Sequence, residues 1–118
     1  MVLNSYLFCY TSTMKNTLKN GSVRVLIFKD KKDWVGAVLE LNIVETGDDP
    51  QVLLHSLEEA IQGYVECARK ERLDTSVLNQ KPDPLFERMW RDFTTRKYKR
   101  PMPSIYSANI LSLGALAK

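Results

Sequence analysis

The residues of this chain that most resemble a catalytic motif are Gly47, Asp48 and Asp49, within the stretch ETGDDP. Paired carboxylates of this kind hold two metal ions about 3.5–4 Å apart in enzymes that process nucleotides. A Gly-Asp-Asp metal site needs strands on both sides of the triplet, whereas Pro50 and an amphipathic segment follow it here. An aspartate before a proline is typical of a helix start, because the carboxylate accepts from free N–H groups and proline suits the first helical position. We therefore interpret the two aspartates as serving a helix start and not as metal ligands.

Other catalytic chemistries also lack their residues in this sequence. A ribonuclease H-like site carries a metal-binding acid at the centre of its first strand, but the first predicted strand reads VRVLIF, with the cation Arg24 and no acid. The single histidine, His55, falls among polar residues of a predicted helix, so we expect it to face solvent. No GxSxG, P-loop or GxGxxG motif occurs. We predict a protein that is not an enzyme and has no catalytic residues, metal or cofactor.

Size and composition indicate one domain without a membrane segment. A chain of 118 residues fits a single domain. Cys9 and Cys67 are too far apart for a CxxC motif and too few for a disulfide framework, so we expect free, reduced thiols. No apolar run approaches the roughly 20 residues of a membrane span, and the first residues lack the features of a signal peptide. We expect no membrane interaction and a cytoplasmic location.

Charge is distributed along the chain in blocks. Residues 33–59 contain seven acids and no Lys or Arg, whereas residues 1–32 and 86–118 each carry a net charge of +5. Such blocks mark either partner surfaces or a solvated face. Four acids of the negative block are the predicted partner-binding residues: Glu40, Glu45, Asp48 and Asp49. We expect them to meet a basic partner, with the charge speeding encounter more than tightening the complex.

Hydrophobic periodicity predicts three antiparallel strands followed by a long helix. The strands are expected over residues 23–29, 34–41 and 42–47, and the helix from Pro50 to about Leu73. Alternation in the second strand puts Val35, Ala37, Leu39 and Leu41 on one face and Trp34, Gly36, Val38 and Glu40 on the other.

The remaining segments carry weaker signals. After the breaker segment DTSVLNQKPDP, Asp83 is predicted to cap a second helix that begins at Pro84 and runs to about residue 97. Residues 104–111 are predicted to form either a short fourth strand or a frayed tail. The N-terminal residues lack a clear period, and Met14 is a second plausible start.

The predicted fold is therefore α+β, a three-stranded antiparallel sheet packed on one long helix. Residues 1–20 are predicted to be a poorly ordered extension or a start-site artefact, residues 21–74 the β-β-β-α domain, and residues 75–118 a helix and tail that pack on that domain. One sheet and one helix bury little apolar area. The second helix, or a second copy that pairs with a strand edge, must cover the rest. We predict a homo-oligomer, a dimer.

The basic segment RKYKR, residues 96–100, offers a second function. An aromatic between cations can grip phosphates and stack a base, although cations at a helix end also favour the helix dipole. The predicted nucleic-acid-binding residues are Arg88, Arg91, Arg96, Lys97, Lys99 and Arg100. A nucleic-acid-binding regulator is therefore the alternative to a protein-interaction module.

Residues 33–68 resemble the HicB-like family of antitoxin-related proteins. Its members show a hairpin with an aromatic after an acidic turn, an alanine in the second strand, and a Gly-Asp turn that leads into a Leu-x-Glu-Ala helix. The matching positions are Asp33, Trp34, Ala37, Leu39, Glu40, Leu41, Gly47, Asp48, Leu57, Glu58, Glu59, Ala60 and Tyr64. With the strand at residues 23–29, the resemblance covers about 50 residues of the 118.

The resemblance implies a partial ribonuclease H-like fold without catalytic carboxylates. In HicB antitoxins this domain binds a HicA toxin, a small basic RNA-cleaving protein, while a second domain binds the operator DNA. No ribbon-helix-helix or helix-turn-helix pattern follows the first helix here, so operator binding is not expected. The expectation is a solitary HicB-like domain that binds a protein such as a HicA-like toxin.

Overall fold

The computed structural model describes residues 16–18, 20–95 and 105–113. The elements are strands β1 (Ser22–Asp30), β2 (Asp33–Val38), β3 (Ile43–Gly47) and β4 (Ile105–Ser112), helices α1 (Pro50–Lys70) and α2 (Pro84–Thr95), and two 3-10 helices, Leu39–Leu41 and Thr75–Leu78. The strands form one antiparallel sheet in the order β3-β2-β1-β4. The fold is α+β, as predicted.

The sheet has four strands, whereas the main prediction was a sheet of three strands. The short fourth strand, which was one of the two alternatives for residues 104–111, is confirmed as β4. It pairs with β1 on the side opposite β2, with Val23 facing Leu111 and Leu26 facing Ala108. Strand β1 needs this partner because its apolar residues are buried on both faces, which is typical of an interior strand.

The two helices cover opposite faces of the sheet. On one face, Val25 and Ile27 of β1 pack with Leu57 and Ile61 of α1 in the larger core. On the other face, a smaller core is formed by buried residues and by half-buried residues that pack against them. Its members are Leu26, Phe28, Leu39, Met89, Val35, Phe86, Trp90, Ile105 and Ala108. The sheet is therefore covered by α1 and α2 together.

Strand β2 is shorter than predicted, and this changes which face its last residues occupy. It ends at Val38, and residues Leu39–Leu41 form a 3-10 turn that closes at Asn42 with φ of 54°. A 3-10 helix repeats every three residues, so Leu41 follows Val38 into the α1 core. The prediction that Leu41 shares a face with Val35 is therefore wrong.

Both helices begin at the predicted prolines, and backbone hydrogen bonds within the chain's next few residues end α1. Helix α1 stops at Lys70, three residues before the predicted end. There, the N–H of Leu73 donates to the carbonyl of Ala68 at 2.9 Å after Arg72 adopts φ of 53°. This is a left-handed closure of the kind that ends many helices. Helix α2 extends to Thr95, and the predicted end at residue 97 lies outside the described residues.

A polar connection ties the segment after α1 to the start of the described chain. Asn16 is buried, and its side-chain N–H donates to the carbonyl of Leu78 at 2.9 Å while its Oδ1 accepts from the N–H of Ser22 at 2.8 Å. Residues 1–15 and 19 of the predicted extension lie outside the described residues. Within the described part, Asn16 therefore belongs to the packed structure.

Gly36 is the point where β2 approaches α1 most closely, and it gives a test of this packing. A Cβ at Gly36 would lie 2.5 Å from Cδ1 of the fully buried Leu57. We expect Gly36→Ala to lower the free energy of unfolding by about 1–3 kcal/mol, because the close-packed core must shift.

The matched control is Gly63, which is exposed on α1 and has no atom within 4 Å of an added Cβ. Gly63→Ala should raise the free energy of unfolding by about 0.5–1 kcal/mol through helix propensity. Urea denaturation followed by circular dichroism measures both. Equal effects of the two substitutions would contradict the close approach of α1 and β2.

Candidate functional site

The two aspartates after β3 have different environments. Asp49 has an extended backbone, and its Oδ1 accepts from the N–H groups of Gln51 at 2.8 Å and Val52 at 3.2 Å. The prediction that Asp49 caps the helix is confirmed. Asp48 is exposed to solvent at the corner between β3 and α1. One carboxylate is therefore used by the backbone of α1, and the other is presented at the surface.

Glu45 connects β3 to α1. Its side chain lies on the α1 face of the sheet, and its Oε1 accepts from Oγ of Ser56 at 2.7 Å. The strand and the helix are therefore held together by a hydrogen bond between two residues of the acidic block. Glu45 therefore contacts α1 at Ser56, which lies within one helical turn of Glu58 and Glu59 in the sequence.

His55 and two glutamates lie beside this contact on α1. The histidine side chain is 73% exposed, with Nε2 3.4 Å from a carboxylate oxygen of Glu59 and Nδ1 3.9 Å from one of Glu58. The prediction of a solvent-facing histidine is confirmed. The sequence analysis did not single out Glu58 and Glu59 as partner residues, although both lie within the block of seven acids.

We call the acids of β3, of the turn after it and of the first half of α1 the acidic edge. It consists of Glu45, Asp48, Asp49, Glu58 and Glu59. Strand β3 ends the sheet on this side, so one side of its backbone has no strand partner among the described residues. Val52 on α1 is exposed close in sequence to Asp49, whereas the exposed Val44 pairs with Ala37 and lies on the face of β3 opposite Glu45. The acidic edge therefore combines negative charge with a strand whose outer side has no strand partner among the described residues.

Glu40 does not belong to the acidic edge. It turns to the α2 face of the sheet, where its Oε2 accepts from Nε of Arg24 at 2.6 Å and its Oε1 accepts from the Arg24 N–H at 2.8 Å. Glu40 was predicted to bind a partner together with Glu45, Asp48 and Asp49, but the structure separates it from them. The pairing of β1 with β2 ends at Val25 and Val38, so the backbone N–H of Arg24 has no acceptor on β2. The Glu40 carboxylate supplies that acceptor.

Arg24 also binds helix α2. Its two terminal nitrogens donate to the carboxylate of Glu87 at 2.7 and 3.0 Å, in the two-pronged geometry of strong arginine–carboxylate pairs. The guanidinium carbon lies 5.8 Å from the centroid of the Trp90 ring. Burial lowers the pKa of Arg24, but the hydrogen bonds and charges of Glu87 and Glu40 outweigh it and raise the pKa above its ordinary value. Arg24 and Glu87 are 63 positions apart, so no local pattern could have revealed the pair.

The basic residues are only partly within the described chain. Arg88 and Arg91 are exposed on the outer side of α2, one helical turn apart. Arg96, Lys97, Lys99 and Arg100 lie outside the described residues. Of the two tryptophans, Trp34 is half-buried, with Nζ of Lys29 5.1 Å from its ring centroid and the Tyr106 ring 5.8 Å away.

The described residues contain no group of three or more His, Cys, Asp or Glu side chains that could hold a metal ion. No helix in the same part of the chain is long and apolar enough to cross a membrane. Cys67 is an exposed free thiol, and Cys9 lies outside the described residues. No protein-family model, curated protein or solved structure matches this chain.

The different roles of Asp48 and Asp49 predict different effects on stability. We expect Asp49→Ala to lower the free energy of unfolding by about 1 kcal/mol, because two N–H groups at the start of α1 lose their acceptor. Asp48→Ala should change it by less than about 0.5 kcal/mol, as is usual for an exposed side chain. Chemical denaturation of both variants, with and without Mg²⁺ or Mn²⁺, measures the difference. Equal losses, or stabilisation by metal that both substitutions abolish, would contradict the cap.

Proposed function

We propose that this protein is a non-enzymatic interaction module of the HicB-like, antitoxin-related type. It forms a homodimer and binds a basic protein partner, such as a small RNA-cleaving toxin, at the acidic edge. The observation that carries the proposal is the hydrogen bond from Ser56 on α1 to Glu45 on the edge strand β3, because the same helix presents Glu58 and Glu59. These acids come from residues 33–59, which contain no Lys or Arg.

The order of the elements supports the HicB-like type. Strands β1, β2 and β3 are followed directly by α1, which packs on one face of the sheet. This is the strand-strand-strand-helix order that the resemblance implies, although β4 and α2 are additional to it. The central strand carries Arg24, held by two carboxylates, where a ribonuclease H-like enzyme would carry a metal-binding acid. This position favours a binding role over a catalytic one.

The acidic edge suits a partner that is basic and apolar in places. Asp48 and Glu59 are exposed and extend the negative potential into solvent, which speeds the approach of a positively charged protein. Val52 is 66% exposed and provides apolar area for the complex to bury, and Val44, which is 52% exposed, adds apolar area on the other face of β3. Charge would therefore act mainly on the rate of encounter, and apolar contact on the lifetime of the complex.

The second candidate function is nucleic-acid binding by the basic residues of α2 and the segment after it. Arg88 and Arg91 support it, because both are exposed and lie one turn apart on the same side of α2. Contacts of this kind would be made to phosphates, and they would weaken steeply with salt.

The test is affinity purification of the tagged full-length chain from its native cell, followed by identification of what is retained. Glu59→Lys removes an acid from the acidic edge, and Glu71→Lys makes the same charge change at the far end of α1. We expect a small basic protein to be retained by the wild type and by Glu71→Lys. Its association rate constant should fall about tenfold with Glu59→Lys, because one rim charge is reversed.

Salt and nuclease treatment separate the two candidates. Raising the salt from about 0.1 M to about 1 M shortens the Debye length from about 10 Å to about 3 Å and should remove the difference between the two variants. Nucleic-acid binding would be favoured if Glu59→Lys and Glu71→Lys retain equal amounts of nucleic acid and if Arg88→Gln and Arg91→Gln abolish that retention. Failure to retain any basic protein would contradict the leading proposal.

A further inference from the structure

The outer edge of β4 has a composition that is unusual for the end of a sheet. Strand β4 is the last in the order β3-β2-β1-β4, so its outer side has no strand partner among the described residues. Its eight residues, IYSANILS, include no charged residue and no proline. Charges and prolines are the usual means by which edge strands avoid pairing with other chains. Within the described residues, the outer edge of β4 therefore lacks the charges and prolines that discourage pairing with another chain.

Exposed apolar side chains lie along the same strand. Ile110 is 58% exposed and Tyr106 is 42% exposed. Ile110 lies directly opposite Arg24 in the β1–β4 pair, and so on the α2 face of the sheet. Helix α2 covers Ala108 on that face but leaves Ile110 in solvent. An additional strand beside β4 would cover Ile110.

We infer that the outer edge of β4 pairs with β4 of a second copy of this chain, antiparallel and about a two-fold axis. This inference rests on the homodimer in the proposed function and assigns its interface. Pairing of the two copies joins their four-stranded sheets into one sheet of eight strands. A two-fold contact of this kind uses the same surface on both copies and closes, so it does not extend into a fibre.

The register of β4 limits how the two copies meet. The pairing of β1 with β4 shifts between Ile27 and Phe28, which leaves Tyr106 as an extra residue in a bulge. Regular pairing at the outer edge is therefore confined to residues 107–112. Two registers are compatible with this range. A two-fold axis perpendicular to the sheet at Asn109 places Ile110 opposite Ala108 of the second copy. An axis at Ile110 places the two Ile110 side chains opposite each other. Either arrangement covers Ile110 with an apolar neighbour.

The other edge of the sheet is unsuited to self-pairing. Strand β3 has five residues, contains Glu45 and is followed by Asp48, so two copies of the acidic edge would repel each other. Pairing through β4 places the two acidic edges at opposite ends of the joined sheet. Each copy then keeps its acidic edge open for a basic partner. The uncharged β4 edge offers that partner no charge attraction, so we assign it to a second copy.

Sedimentation equilibrium of the purified full-length chain tests the interface. We expect the wild type at micromolar concentration to have twice the monomer mass of 13.6 kDa. Ile110→Lys should raise the dimer dissociation constant by at least about tenfold, because a charge is placed at the paired edge. Val44→Lys makes a similar change on the exposed edge strand β3 and should leave the dimer intact. Circular dichroism of each variant checks that the fold is retained.

Cross-linking tests the arrangement independently of any charge effect. In a chain carrying Cys9→Ser and Cys67→Ser, either Asn109→Cys or Ile110→Cys should form a disulfide-linked dimer, because directly opposite residues have Cβ atoms about 4.5–5.5 Å apart. Val44→Cys should not. A monomeric wild type, a dimer that Ile110→Lys leaves unchanged, or cross-linking through Val44→Cys would overturn the inference. These results do not depend on a partner, so they separate a failure of this interface from a failure to bind a basic protein.

Discussion

Arg24 lies on the interior strand β1, and its guanidinium is paired with the carboxylates of Glu40 and Glu87. The positions of the turn after β2 and of helix α2 depend on these two ion pairs. The Arg24 side chain is only 20% exposed, and a charge with so little access to water is costly unless it is paired and hydrogen-bonded. Glu40 comes from the turn that ends β2, and Glu87 comes from α2. The guanidinium therefore joins three segments, and it fixes where α2 lies on the sheet.

This pairing determines which surfaces remain for function. Because α1 and α2 cover opposite faces, and because Glu40 and Glu87 are used by Arg24, the open parts of the sheet are its two edges. Strand β3 forms an acidic edge that repels its own copy and attracts cations. Strand β4 forms an uncharged edge that suits its own copy. The two proposed interaction surfaces therefore differ in chemistry, and each is unsuited to the ligand proposed for the other.

The sequence predicted the elements whose signals are local. Asp49 and Asp83 mark the two helix starts because each stands directly before a proline and its carboxylate accepts from the N–H of the residue after that proline. The apolar run of β1 and the helical period of α1 are equally local signals. The end of β2 was missed because Glu40 and Leu41 continue the alternating pattern, whereas the chain forms a 3-10 turn there. Such a turn depends on contacts with distant residues.

Contacts between residues that are distant in the sequence determine the features of the site that could not be predicted. Glu40 appeared as one more acid of the negative block, and only the approach of Arg24 removes it from the binding surface. The pairing of β4 with β1 joins residues that are more than 80 positions apart, such as Leu26 and Ala108, and so has no local signal. By contrast, Asp48 was recognisable as exposed, since a polar residue in a turn usually faces water.

The most direct test of the account is a double-mutant cycle between Arg24 and Glu87, using Arg24→Met, Glu87→Gln and the double variant in urea denaturation. The account predicts a coupling free energy of about 1–2 kcal/mol, which is moderated because the Glu87 side chain is 36% exposed. The surface pair Glu66 and Arg69 on α1 is the control, and its coupling should be clearly smaller. Additive effects of Arg24→Met and Glu87→Gln would contradict the claim that this ion pair holds α2 on the sheet.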